Sequence, residues 1–139
     1  MKDNVLIKIS GLHLQGSDSD TVEMINTGKY FFREGKHYIK YQESLEEGMV
    51  SDNMIKIGRN EVELIRKGTI NTNMVFTTGQ KNVSYYETPF GMMSMGIDTT
   101  ELDITQTDDA INIELMYALD MNCEHVSDCH VRIDISEAN

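Results

Sequence analysis

Four soft or imidazole ligands fall within eight residues near the end of the chain, in Cys123-Glu124-His125-Val126-Ser127-Asp128-Cys129-His130. Density of this kind calls for a zinc test. Structural zinc sites open with two cysteines two to four residues apart and take their second pair from another element. Here the cysteines are six apart, and strand alternation sends Cys129 and His130 to opposite faces. One hairpin then offers three ligands at most, so no metal is expected. A turn at Asn122-Cys123 sets Cys129 opposite a residue near Met116, which also disfavours a Cys123–Cys129 disulfide. The segment reads as a polar hairpin with incidental thiols.

Arg66 carries the more informative chemistry. The alternation Val62, Leu64, Arg66 puts it on the face of the core, and an unpartnered buried guanidinium costs several kcal/mol. It needs a carboxylate from a neighbouring strand, carbonyls at a barrel mouth, or a bound anion. In small-ligand barrels an inward arginine with one or two tyrosine hydroxyls holds a carboxylate head while apolar walls hold the tail. Tyr41, on the face of Ile39, and Tyr86 are the candidate hydroxyls, with Met74 and Phe76 as candidate walls. The alternative is that Arg66 ends its strand against Lys67-Gly68 and reaches water along its own methylenes. Met92, Met93 and Met95 follow Gly91; such a cluster either lines an adaptable cavity or fills gaps in the core. There is no hydrolase elbow, phosphate-binding glycine loop or zinc-protease helix pattern. Nothing argues for an enzyme or for a cofactor.

The 139 residues carry a formal net charge of −11. Residues 1–81 hold 11 acids and 11 bases, and residues 82–139 hold 12 acids against Arg132 alone. Phosphate backbones repel such a surplus, and nucleic-acid affinity needs clustered Lys and Arg. Nucleic acid is therefore not the expected partner. With Leu102, Ile104, Ile113, Leu115, Leu119 and Ile133 inward, Glu101, Asp103, Glu114, Asp120 and Asp134 point outward. They form a candidate acidic face that keeps the protein in solution or docks a basic protein surface.

The elements that must position these groups are strands. Fourteen isoleucines and eleven threonines stand against three alanines, a composition suited to pleated, half-buried strands. Apolar residues alternate at Val5, Ile7 and Ile9, at Ile55 and Ile57, and from Ile111 through Leu119. Turn signals such as Glu34-Gly35, Gly58-Arg59-Asn60, Thr78-Gly79 and Asn122-Cys123 follow one another at one-strand intervals. No room is left for crossover helices, so about nine or ten strands pair as antiparallel hairpins. Ser44–Gly48 is the one stretch without alternation and reads as a helix or loop. The phase changes twice, after Gly11 and across Thr99-Thr100, and each change reads as a β-bulge or bend. A sheet that bends while keeping one face inward curls and closes. The expectation is a single β-barrel domain over residues 1–139, all-β, with an antiparallel meander; a sandwich is the alternative. No signal peptide and no bilayer-length apolar run is present. A cytoplasmic protein with no membrane partner follows.

Val62-Glu63-Leu64-Ile65-Arg66-Lys67-Gly68, Asn71-Thr72-Asn73-Met74-Val75-Phe76 and Tyr85-Tyr86-Glu87-Thr88-Pro89-Phe90-Gly91 together resemble the YwiB-like proteins. These are a domain-of-unknown-function family of Gram-positive bacteria. The likeness includes Gly35-Lys36-His37-Tyr38-Ile39-Lys40-Tyr41 and Leu115-Met116-Tyr117-Ala118-Leu119-Asp120, and runs from the first strand to the last. It implies a calycin-like barrel, similar in architecture to lipocalins and fatty-acid-binding proteins, and it implies no activity. The chain departs from the family pattern in the Cys/His hairpin and in the methionines after Gly91. Two functional expectations result: a barrel that binds a small molecule with an apolar body or anionic head, and an interaction module that uses the acidic face.

Overall fold

The computed structural model describes residues 1–15, 18–44, 48–68 and 71–138, and gives the backbone alone for 12–15, 18–22 and 86–88. Ten strands occupy almost all of it. They are β1 (Asn4–Gln15), β2 (Asp18–Arg33), β3 (Lys36–Ser44), β4 (Val50–Ile57), β5 (Glu61–Lys67), β6 (Thr72–Thr77), β7 (Lys81–Thr88), β8 (Gly91–Gln106), β9 (Ala110–Met121) and β10 (Glu124–Glu137). Of the stretch expected as helix or loop, Ser44 ends β3 and 45–47 lie outside the described residues.

All ten strands belong to one sheet, in the order β6-β5-β4-β3-β2-β1-β10-β9-β8-β7. Strands adjacent in sequence pair antiparallel, β6 and β7 excepted, and β1 pairs with β10. A meander whose two ends join in this way curls into a nearly closed barrel, with one seam between β6 and β7. Side chains cross that seam where a backbone ladder does not. The Asn82 amide donates from β7 to the Val75 carbonyl at 3.1 Å and to the Thr77 hydroxyl at 3.4 Å.

Two-residue turns join β2 to β3 and β9 to β10. Glu34 and Gly35 adopt φ of 53° and 80°, and Asn122 and Cys123 adopt 50° and 69°. Two successive left-handed residues are what a type I′ turn requires, and its twist matches that of the flanking strands. The second turn sets Cys129 opposite Tyr117. No disulfide forms, and Cys129 is buried while Cys123 is exposed.

The expected phase change across Thr99-Thr100 is present as a register shift between Thr99 and Glu101 in the β8–β9 ladder. The change expected after Gly11 is not. Residues Asn4 to Gln15 pair with β2 in unbroken register, and the ladder to β10 is unbroken from Val5 to Leu14. A bulge in a strand held on both sides would have to be absorbed by two ladders, and a glycine at an inward position leaves its space to neighbours without it. The irregularity falls in β10 instead, between His125 and Ser127.

Inward positions are filled by β-branched side chains. Val5, Ile7, Ile39, Ile111, Ile133 and Ile135 have no exposed surface. The middle of the barrel is spanned from wall to wall: the Phe76 ring of β6 meets the Tyr117 ring of β9 edge to face, with centroids 4.9 Å apart at 62°. Aromatic pairs favour this geometry because a positive ring edge meets a negative face. Phe76 is 1% exposed, so truncation leaves a cavity with little freedom to collapse. Phe76→Ala is expected to cost about 3–5 kcal/mol, read as a lowered urea midpoint at unchanged m-value.

Candidate functional site

Above the Phe76–Tyr117 layer the inward face changes character. Register sets Gly28 opposite Tyr41, Tyr41 opposite Asn53, Asn53 opposite Arg66, and Arg66 opposite Thr72. On the next inward level Glu43 stands opposite Ser51. Five adjacent strands thus carry one polar row at this end of the barrel. Gly28 is required there, because a Cβ would lie 2.5 Å from the Lys40 carbonyl oxygen and 3.1 Å from the Tyr41 Cβ. Side-chain bulk at 28 would displace the strand that presents Tyr41.

The row is short of partners. Ser51 is fully buried and Asn53 is 7% exposed. The Ser51 hydroxyl, both polar atoms of the Asn53 amide and the Glu43 Oε2 are buried and make no hydrogen bond. Arg66 donates from Nη2 to Glu43 Oε1 at 3.0 Å, with the Arg66 side chain 47% exposed and that of Glu43 12%. Glu43 is thus the partner that an inward arginine needs, and Arg66 still reaches water from its strand end. Burial pushes the Tyr41 phenol above its ordinary pKa; Glu43 adds to this and Arg66 opposes it. Tyr41 therefore keeps its proton at neutral pH and acts as a donor. Unpaired donors and acceptors in a dry place cost about 1–3 kcal/mol each, and in folded proteins such groups are nearly always bonded to protein, water or ligand. The arrangement can hold a polar head that donates to Glu43 and exchanges hydrogen bonds with Asn53, Ser51 and Tyr41.

The other sequence candidates fall in several places. Met74 stands opposite Leu64, one inward level from Arg66 and Thr72, and is partly buried. Phe76 lies deeper, in the ring pair that fills the barrel. Tyr86 pairs with Met93, and its side chain is outside the described residues. Met95 is buried and Met92 exposed. On the outer wall, Asp103 stands directly opposite Glu114, with Glu101 beside them opposite Met116. A hydrogen bond shared with Asp103, and then the charges of Asp103 and Glu114, raise the Glu101 pKa, while His130 lowers it. Asp120 is engaged by Lys81 at 2.5 Å and Asp134 by Arg132 at 3.2 Å. The acidic face thus contracts to three carboxylates. In the Cys/His hairpin, His125 meets Asp128 at 3.0 Å and His130 meets Glu114 at 2.6 Å on the outside, whereas Cys129 is buried inward beside Ser127.

Glu43, Ser51 and Asn53 were not singled out by motif. Their signal is parity alone: Ser51 and Asn53 precede Ile55 and Ile57 on one face, and Glu43 follows Ile39 and Tyr41 on another.

Asn53→Leu removes two unpaired buried polar atoms at similar volume. In protein refolded from denaturant it is expected to stabilise by about 1–3 kcal/mol, seen as a raised urea midpoint. Glu101→Gln relieves repulsion on the outer wall. The folded pKa of Glu101 is raised, so the folded state takes up protons first as pH falls. The gain in stability from Glu101→Gln is therefore present at neutral pH and disappears as pH drops through the raised pKa toward the unfolded value. Urea titrations at a series of pH values check this.

Among the described residues no helix is long and apolar enough to cross a membrane. A crystal structure of the YwiB protein from Bacillus subtilis matches this fold with a TM-score of 0.84 at 20% identity, over 99% of this chain and 93% of that one. In sequence, the uncharacterized β-barrel protein YwiB of Bacillus subtilis (strain 168) is 27% identical over 111 residues, 80% of this chain and 74% of that protein. The model of the domain of unknown function DUF1934 matches residues 7–133. A ten-stranded, nearly closed antiparallel barrel with this sequence is a member of the DUF1934 family, β-barrel proteins of unknown function.

Proposed function

We propose that the protein is a non-enzymatic binding barrel for a small molecule that has a hydrogen-bonding head and an apolar body, a mode of use familiar from calycins. One observation carries the reading: Glu43 Oε2, the Ser51 hydroxyl and the Asn53 amide are buried without partners beside Tyr41 and Arg66 on one inward row. A fold under no demand at this position gains stability by placing apolar residues there, as it does at Ile55 and Ile57. Retaining four unpaired polar atoms is the familiar trade of stability for a site. Because Glu43 already answers the Arg66 charge, the head is zwitterionic or neutral with donors, and a bare anion is less suited than a charge count on Arg66 alone suggests. Leu64 and Met74, one level further in, are partly buried and present the apolar contact.

A second reading, docking of a basic protein surface on the acidic face, is favoured by the register that sets Asp103 directly opposite Glu114 with Glu101 beside them, like charges whose repulsion a cationic partner would relieve. It calls for association that weakens as salt rises.

Native mass spectrometry of the protein purified from its own host tests the first reading. The expected result is a bound mass of a few hundred daltons, the size class of drug-like ligands, carried by wild type and lost in Asn53→Leu. An empty wild-type protein, or a mass retained equally by Asn53→Leu, would overturn it.

A further inference from the structure

The outer face of β2–β5 carries a different chemistry from the rest of the surface. Strand parity brings Lys29, Arg33, Lys36, Lys40, Lys56 and Lys67 to it. Lys29 stands directly opposite Lys40, and Arg33 directly opposite Lys36. Like charges so placed oppose folding. Elsewhere Lys8, Arg66, Lys81 and Arg132 each meet a carboxylate. Among the described residues none of the six cations on this face makes an ion pair. Between them Phe31 and Tyr38 stack with centroids 4.9 Å apart and planes 4° from parallel. The Lys40 ammonium lies 5.5 Å from the Phe31 ring centre, and that of Lys56 lies 5.9 Å from the Tyr38 ring centre. Both rings and five of the six cations, Lys36 excepted, line a concave groove of about 1450 Å³ with Glu34 and Asp52; across the β4–β5 ladder Lys56 stands opposite Glu63 and Lys67 opposite Asp52.

We propose that this groove binds the backbone of a single-stranded nucleic acid, with the Phe31–Tyr38 pair as a base-stacking post. The proposal is carried by the outward side chains of these strands and the small-molecule reading by their inward ones, with Tyr41 and Asn53 also bordering the groove. Four strands about 4.8 Å apart make a cationic track about 15 Å long, enough for three or four phosphates. A cationic groove with aromatic rings set into it is the combination by which proteins hold single strands without reading sequence. The lysines over the rings are no obstacle. An exposed cation–π contact is worth about 0.5–1 kcal/mol, whereas a base on an aromatic ring is worth about 1–3 kcal/mol, so a base displaces the ammonium and leaves it to a phosphate. A carboxylate surface would use the cations but not the rings, which favours a nucleic acid over an acidic protein. The net charge of −11 does not decide the matter. The carboxylates of β8 and β9 lie at least three strands away around the barrel, about 14 Å at the usual strand spacing, and exposed charges are screened beyond about 8 Å at physiological salt.

The test is fluorescence anisotropy of labelled oligouridine and oligothymidine of about ten nucleotides, a length within the usual site size, with labelled polyglutamate as a third probe. Three to four phosphate contacts predict an affinity that falls roughly 20- to 50-fold between about 50 and 200 mM salt. Lys40→Glu with Lys56→Glu, and separately Lys29→Glu with Lys67→Glu, should each weaken oligonucleotide binding at least about tenfold. Arg59→Glu, in the β4–β5 turn, should leave it unchanged, and circular dichroism should show all variants folded. A preference between the two oligonucleotides would identify the natural strand as RNA or DNA, either of which supports the proposal. It is overturned if neither oligonucleotide binds at about 10⁻⁴ M protein in low salt, the weak end of non-specific binding. It is equally overturned if charge reversal leaves the affinity unchanged, or if polyglutamate binds as tightly as the oligonucleotides, which would assign the face to an acidic protein.

Discussion

A position that points into a nearly closed β-barrel is out of water, and whatever polar group stands there must be partnered from within or by a guest. The alternation of a strand makes every second residue such a position. Over most of this chain the rule is met by isoleucine and valine, and at the Phe76–Tyr117 contact by two rings that fill the barrel from wall to wall. It is set aside at Thr99, whose buried hydroxyl is also unpaired, and most fully at one end, where Tyr41, Glu43, Ser51, Asn53 and Arg66 face inward together and Arg66 pairs with Glu43. Closure makes the exception costly, and it follows that the apolar core and the polar row belong to a single design.

The outer wall is under no such demand, since exposed groups are free to find water. There the chain divides its charges by strand. Carboxylates crowd at Glu101, Asp103 and Glu114 on β8 and β9, while unpaired cations and two stacked rings crowd on β2 to β5. Both arrangements place like charges opposite one another, which opposes folding slightly. The inner polar row thus runs over β2–β6 and the outer cations over β2–β5.

Most of the fold was legible in the sequence because a meander needs only local signals: alternation gives the strands, and turn residues such as Glu34-Gly35 and Asn122-Cys123 give the hairpins. The bend at Thr99 showed itself as a change of phase. The apparent change at Gly11 misled, because a strand clamped between two ladders keeps its register through a glycine whatever its neighbours' polarity. Arg66 and Tyr41 were legible as inward residues. Glu43, Ser51 and Asn53 were not, because a serine or asparagine two places from an isoleucine looks like the end of a strand until closure shows it to be buried. Charge summed along the chain pointed away from nucleic acid, while charge sorted by strand parity places Lys29, Phe31, Arg33, Tyr38, Lys40 and Lys56 on one face. Summation along the chain hides this sorting of charge.

The central claim is that the polar atoms of the inward row are kept for a guest. A crystal structure at atomic resolution of the protein purified from its own host tests it most directly. The account predicts an ordered organic molecule hydrogen-bonded to Glu43 Oε2, to the Ser51 hydroxyl and to the Asn53 amide. Finding those atoms bonded to other protein groups, or to isolated waters alone, would contradict it.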